Sequence, residues 1–309
     1  MNLLRRINRI RGYVMRAFTD RIGNTKSELP LDSGKKIEVN SILITRPNHR
    51  LGNQMLITPL LKEMERVFPN SRIDLLVKGD LGKAIFKNFG NVNKVIQLPK
   101  RPFNNPIAYI NGWMAIRSKR YDLVINATNN SSSGRLSTKF ANAQIRLFGD
   151  VSEEIKNKYE DYDHMAKRPV YTFREQFRKL GFTIPDAAIE PLDLKLDEQE
   201  LADGKRWLEE KINNTQKTIC LFTYATGPKR FDSSWWLIFY ERLKSEFPYC
   251  NIIEILPVEN VSQIGLLAPT FKDPSIRKVA SLIANTNVWI GADSGLMHLA
   301  TASGGPTGG

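Results

Sequence analysis

Three times along this chain a short apolar run ends in a polar, Gly-bearing loop that passes directly into a helical pattern, and this alternation is what most restricts the fold. The first instance, SILITRPNHRLGNQMLITPLLKEMERVFPNSRIDLLV, reads as a strand from Ile42 to Thr45, a loop, a helix over about Pro59 to Phe68 and a strand from Ile73 to Val77. The second places a buried strand at Thr218 to Phe222 before Thr223-Tyr224-Ala225-Thr226-Gly227-Pro228-Lys229-Arg230 and an aromatic helix from Ser233. The third joins Val288–Ile290 to Asp293-Ser294-Gly295 and then to Leu296-Met297-His298-Leu299-Ala300. Consecutive strands separated by helices pair in parallel, because a parallel connection needs a long crossover. Further strands at Val95, Asp122–Asn126 and Ile252, with helices around Trp235–Phe247 and Ser275–Ala284, extend the pattern into two α/β halves. A Pro- and acid-rich stretch from Phe182 to Leu196 is expected to link them. The expected division is therefore an N-terminal segment at 1–34, an α/β domain at 35–185 and a second at 186–309.

A strand, a glycine turn and a helix N-terminus present free backbone N–H groups and a positive dipole end, which suit a phosphate. Hydroxyls, a glycine and a lysine directly after a strand, as at Thr223–Lys229, belong to the same chemistry. Each junction also has a plain structural reading. Lys229 and Arg230 read equally as a solvated loop pair, Thr223 and Thr226 as turn residues, Asp293 as a helix N-cap and His298 as a core histidine.

Taken together, Ile42-Leu43-Ile44-Thr45-Arg46, Gly52-Asn53, Thr58-Pro59-Leu60-Leu61, Lys229-Arg230 and Asp293-Ser294-Gly295-Leu296-Met297-His298-Leu299-Ala300 resemble glycosyltransferase family 9, the lipopolysaccharide heptosyltransferases. The resemblance runs from about Lys36 to Thr307, and its specific part is the closing D-[ST]-G-x-x-H-L-A motif. It implies a GT-B fold: two facing Rossmann-like parallel-sheet α/β domains, the N-terminal one for the acceptor and the C-terminal one for a nucleotide-sugar. The family continues past Gly-x-Pro-Thr, so the C-terminal domain is expected to be incomplete by about one strand and one helix. The implied reaction moves a heptose or other sugar, with inversion, from an ADP-heptose-like donor to a lipopolysaccharide or lipooligosaccharide type of acceptor, with no metal and no other cofactor. The alternative is a non-catalytic binder of sugar nucleotides or glycolipids with the same fold.

On that resemblance Lys229 neutralises the diphosphate and the charge that builds on the leaving group, Thr223 and Thr226 add hydroxyl donors, and Ser294 and Gly295 offer backbone N–H groups. An ionised Asp293 can only accept hydrogen bonds, so sugar hydroxyls are its expected partners; Glu259 holds a ribose hydroxyl or is a plain surface glutamate, and His298 belongs to the closing motif. The general base is where the chain departs from the family, since the acidic position is Asn53 here and an amide cannot take a proton. Three explanations stand side by side. His49, with a reference pKa near 6.5, serves as base; or Asn53 orients the acceptor while another group removes the proton; or catalysis is lost. Two basic, aromatic loops, Lys100–Arg120 with Phe103, Tyr109 and Trp113 and Ser131–Lys139 with Arg135, are expected at the acceptor, unless these aromatics belong to the core.

Charge is uneven. Residues 1–185 carry 33 Lys and Arg against 16 Asp and Glu, residues 186–309 carry 12 against 16, and the whole chain has a formal net charge of +13. A basic half seeks an anion, yet no zinc-ligand spacing or RNA-reading aromatic pattern is present, so nucleic acid is not the expected partner. An anionic membrane surface or phosphorylated glycolipid explains the charge equally well, and Leu3, Ile7, Ile10, Val14 and Phe18 share one face of a basic amphipathic helix suited to an interface, or to packing its stripe on the body of the protein, if the stretch is not a disordered arm. Two cysteines, Cys220 and Cys250, imply no disulfide framework, and no apolar run has the length to cross a bilayer. The expected location is cytoplasmic, peripheral on the inner face of the membrane.

Overall fold

A computed structural model describes residues 26–27, 38–128, 131–212, 215–225, 227–304 and 307–308. The amphipathic stretch at 3–18 and Thr226 lie outside the described residues. After the two-residue strand β1 (Lys26–Ser27), the chain runs through β2 (Ser41–Arg46), α1 (Leu51–Met55), α2 (Thr58–Val67) and β3 (Arg72–Lys78). It continues as β4 (Val92–Leu98), α3 (Pro106–Ser118), β5 (Arg120–Asn126), α4 (Ser132–Phe140), β6 (Asn142–Leu147) and α5 (Arg168–Lys179). Then follow α6 (Glu198–Lys211), β7 (Thr218–Phe222), α7 (Ser233–Glu246), β8 (Asn251–Ile255) and β9 (Thr270–Phe271). The last elements are α8 (Ile276–Ala284), β10 (Val288–Gly291), α9 (Gly295–Ala302) and β11 (Thr307–Gly308).

Among the described residues two sheets form, with strand orders β1-β6-β5-β2-β3-β4 and β11-β10-β7-β8-β9. Every pairing is parallel except β1 with β6. Parallel strands are covered on both faces and so read as continuous apolar runs rather than alternating ones, as Ile42 to Ile44 and Thr218 to Phe222 do in burial. In each sheet the chain order reverses once, at β2 between β3 and β5, and at β7 between β8 and β10. The carboxyl ends flanking such a reversal leave a crevice where α/β proteins bind ligands.

The chain divides into two compact units: residues 1–49, 59–83 and 89–190, and residues 50–58, 84–88 and 191–309. Their main boundary falls inside the Phe182–Leu196 stretch. Two short segments, 50–58 and 84–88, sit in the sequence-defined N-terminal domain but pack with the second unit. Periodicity could not have assigned them, because contacts made far along the chain decide where a short connection lodges.

The first unit packs Leu43, Leu76, Ile96, Leu98, Ile116, Tyr121 and Val124 into one cluster, joined at its edge by Tyr109, Trp113 and Ala115. The expected acceptor loops are therefore helices over most of their length, α3 and α4, and Tyr109 and Trp113 belong to the core while Phe103 is exposed. Asn105 caps α3 by accepting from the Ala108 N–H at 3.1 Å, Pro106 opens it, and Ser131 caps α4 from the Gly134 N–H. Outside the sheet, Arg174 on α5 holds the carboxylate of Glu63 on α2 through two bonds of 2.8 and 2.9 Å, both residues being buried. Despite the opposing effect of burial, bonds from Arg174 and Arg66 keep the Glu63 carboxyl below its usual range.

The second unit is tied by Arg277 on α8. Its guanidinium donates to both oxygens of Glu200 on α6 at 2.6 Å and to the carbonyls of Ala84, Leu194 and Lys195. This arginine thus fastens the 84–88 segment and the incoming chain to two helices at once. Gly204 lets α6 approach α8, since a Cβ there would lie 2.4 Å from the Ser281 carbonyl oxygen. Glu200 also completes a capping box with Asp197. Hydrogen bonds from Arg277 above all hold the Glu200 carboxyl down at about 2. A carboxyl depressed in the folded state stabilises above its unfolded pKa, and that stabilisation is lost as pH falls from about 4.5 towards 2. Urea unfolding should therefore show wild type losing roughly 1–3 kcal/mol more than Glu200→Gln between pH 6 and pH 2.5. Equal losses would detach the pair from acid sensitivity.

Candidate functional site

The switch point of the second sheet gathers most of the expected donor residues. Thr223 follows β7 directly, Lys229 closes a 3-10 turn (Gly227–Lys229) a few residues later, and Asp293 to Gly295 connect β10 to α9. Because β7 and β10 are adjacent and parallel, with Phe222 opposite Gly291, both loops leave the same edge. The Lys229 ammonium and the Asp293 carboxylate meet there as an ion pair, each side chain more than half exposed. The two residues assigned separately to diphosphate and sugar are thus joined before any ligand arrives.

Helix α9 begins without a side-chain cap. Ser294 occupies the N-cap in extended conformation, but its hydroxyl makes no capping bond and is buried without a partner. The plain reading of Asp293 as N-cap does not hold, since the cap is Ser294 and the carboxylate is turned to Lys229. The first-turn N–H groups consequently have no side-chain cap, which leaves the positive end of the helix available to an acceptor group. At this helix start Ser294 and Gly295 have backbone N–H groups, not a side-chain cap, to present.

Thr223 is the clear departure. It is buried, and its hydroxyl donates to Glu254 Oε1 at 2.6 Å while accepting from the Gln263 N–H at 3.0 Å, so it has no proton left to offer a phosphate. Glu254 in turn accepts from Ser262 Oγ at 2.7 Å, and burial pushes its carboxyl above the usual range against the effect of these two hydroxyl donors. This network holds the loop after β8 to the end of β7. A glutamate inside the apolar run Ile252-Ile253-Glu254-Ile255 is the signal by which the sequence could have revealed it.

Beside α9 lies an apolar cleft of about 150 Å³ between the end of β8 and the starts of α8 and α9. Leu256, Pro257, Val258, Pro274, Leu296 and Leu299 supply most of its wall, with Lys272 and Asp273 at one side. Glu259 stands exposed in the adjoining turn, where the Asn260 N–H bonds to the Pro257 carbonyl. Nothing in the sequence pattern marked this cleft, because its lining comes from three separated segments.

The segment bearing Gly52 and Asn53 forms α1 and packs on α9 within the same unit. Gly52 is required by this contact: a Cβ there would lie 2.3 Å from His298 Cδ2. His298 is therefore a partly buried residue packed against α1, and Asn53 is half-buried on that helix. His49 belongs to the first unit, exposed after β2, where a Cβ at Gly79 would touch its own Cβ at 3.4 Å. Arg46, at the end of β2, is buried and donates to the Ala127 carbonyl at 2.7 Å; burial lowers its pKa to about 10. Among the described residues no group of three or more His, Cys, Asp and Glu side chains is placed to hold a metal ion.

No protein-family model matches this sequence, and no curated protein matches it. Among solved structures it is similar to a glycosyltransferase of family 9 from Veillonella parvula DSM 2008, at 18% identity over 88% of this chain and 80% of that one, with a TM-score of 0.67. The fold is that of the GT-B glycosyltransferases of family 9. The same fold relates it to the E. coli ADP-heptose lipopolysaccharide heptosyltransferase II, at 17% identity over 87% of this chain and 83% of that one, TM-score 0.60. An E. coli heptosyltransferase with ADP-2-deoxy-2-fluoro heptose is equally similar, at 17% identity, 86% and 87% coverage and TM-score 0.60.

The Thr223 network makes a direct prediction. Thr223→Val keeps the shape but leaves Glu254 short of a donor and the Gln263 N–H without an acceptor, which should cost about 1–3 kcal/mol in urea unfolding. Nucleotide affinity of the folded variant should be unchanged; a selective loss of affinity would return Thr223 to the phosphate site.

Proposed function

We propose that this protein is a glycosyltransferase that takes the sugar of an ADP-activated heptose or a close relative and moves it, with inversion, to a lipopolysaccharide-type acceptor. The observation carrying this reading is the convergence, at one switch point, of Lys229, Asp293 and the uncapped start of α9 beside an apolar cleft. One solved structure of this fold is named an ADP-heptose lipopolysaccharide heptosyltransferase and another is described with ADP-2-deoxy-2-fluoro heptose, which supports a nucleoside diphosphate donor. In this reading the cleft takes the base, Glu259 the ribose, the N–H groups of α9 and the Lys229 ammonium the diphosphate, and Asp293 the sugar hydroxyls.

The acceptor hydroxyl attacks the anomeric carbon on the face opposite the diphosphate. As that bond forms, the bond from carbon to the phosphate oxygen breaks and its electron pair stays on the departing diphosphate. Lys229 and the helix start stabilise that growing charge, the part a metal takes elsewhere. The acceptor proton goes to His49, because Asn53 has no basic lone pair to receive it. Asn53 also motivates the second reading, a binder without turnover.

Calorimetric titration with ADP should give saturable binding that weakens about 10- to 100-fold in Lys229→Ala, the loss expected of one charge-assisted contact. Unchanged affinity would remove Lys229 from the site. Turnover of an ADP-heptose donor should fall at least about 100-fold in His49→Ala with donor affinity intact. An undiminished rate would reject His49 as base, and binding without any turnover in wild type would select the binder.

A further inference from the structure

Helix α3 is apolar on two opposite faces, and the first unit covers only one of them. Gly112 and Ile116 are buried, with Tyr109, Trp113 and Ala115 packed against the core cluster. Opposite them Ile107, Ile110 and Met114 follow helical spacing at 71%, 58% and 53% exposure, and Phe103 extends the stripe just before the helix at 88%. A helix apolar all round belongs in an apolar environment, and a contiguous exposed stripe of this kind marks an interaction surface.

The charges around it say what kind of partner covers it. Residues 89–149 carry nine Lys and Arg against a single acidic residue, Asp122, and of the nine Lys100, Lys119 and Arg135 are paired with Asp80, Asp74 and Asp150. Asp122 itself is turned inward, accepting from the Asn40 and Ser41 N–H groups and from Ser41 Oγ. Arg101 and Arg117 stand exposed at the two ends of the stripe, and Arg117 also lies over the Phe140 ring at 5.8 Å. A twofold contact with a second copy would set this cationic surface against itself, since such an interface uses the same patch twice. An interface of acyl chains beneath anionic headgroups satisfies both the apolar side chains and the cations.

We infer that the outer face of α3, led by Phe103, Ile107, Ile110 and Met114, seats this protein on an anionic lipid surface. The inference does not depend on the transferase reading, because it uses none of the residues assigned to the donor. Bound this way, the stripe enters the headgroup boundary and the flanking arginines remain among the phosphates.

The test uses the full chain with its N-terminal residues retained, and sucrose-loaded vesicles of phosphatidylcholine alone or with about one third phosphatidylglycerol. Wild type should co-sediment with the anionic vesicles and much less with the neutral ones, and the bound fraction should fall as salt is raised. Ile107→Ser with Ile110→Ser should lower the partition coefficient about tenfold or more while the unfolding temperature stays close to that of wild type. Phe103→Ser, which precedes the helix and cannot disturb it, should give a smaller loss in the same direction. Equal binding of wild type and the double variant, or no binding by wild type, overturns the inference. So does a wild-type dimer in sedimentation velocity that the double variant converts to monomer, which would make the face a contact between copies.

Discussion

Parallel pairing is the constraint on which the rest depends. When strands connected by helices lie side by side in the same direction, all their following loops emerge at one edge, and where the strand order reverses two of those loops diverge to leave a crevice. In the second sheet this rule, applied to β7 and β10, brings Lys229 to Asp293 across 64 residues of sequence. The same rule puts Arg46 and His49 at the carboxyl edge of β2 in the first sheet. Chemistry gathers at these edges because backbone geometry delivers polar loops there while the strands themselves remain buried.

The second unit shows how such an edge is kept in order. The Thr223–Glu254–Ser262 network fixes the loop after β8 relative to β7, and the Arg277–Glu200 pair fixes α8 relative to α6 and the 84–88 segment. The second rests on a charge pair whose partners are close and geometrically matched, the condition under which a half-buried charge stabilises rather than costs, whereas Glu254 is held by the hydroxyls of Thr223 and Ser262. The lysine and aspartate of the site are held differently, as a single exposed pair that a ligand can exchange for its own charges. A rigid frame carrying a loosely held pair is the arrangement a binding site requires.

Comparison with other proteins divides along the same line. No family model is matched by the sequence, yet the fold aligns with family 9 transferases over most of both chains at under one fifth identity. Buried parallel strands tolerate exchange among Val, Ile and Leu, so the architecture persists while identity drains away. Within the Asp293–His298 motif Gly295 lies against α1, where a Cβ would sit 3.3 Å from Leu51 Cβ.

The sequence by itself determined the alternation of strands and helices and the parallel sheets, because apolar runs bounded by glycine and polar turns are local signals that helix and strand geometry must obey. It also supplied the motif from Asp293 to His298, whose residues are contiguous. Tertiary structure alone decided that the Lys100–Arg120 stretch is a helix with a second apolar face and that Thr223 faces inward to Glu254. It alone decided that α1 packs on α9, and that Leu256, Pro274 and Leu296 share a cleft. The physical reason is one of range. A hydroxyl or an apolar side chain looks the same in sequence whether it meets solvent, a ligand or a buried carboxylate, and only contacts between distant segments choose among the three.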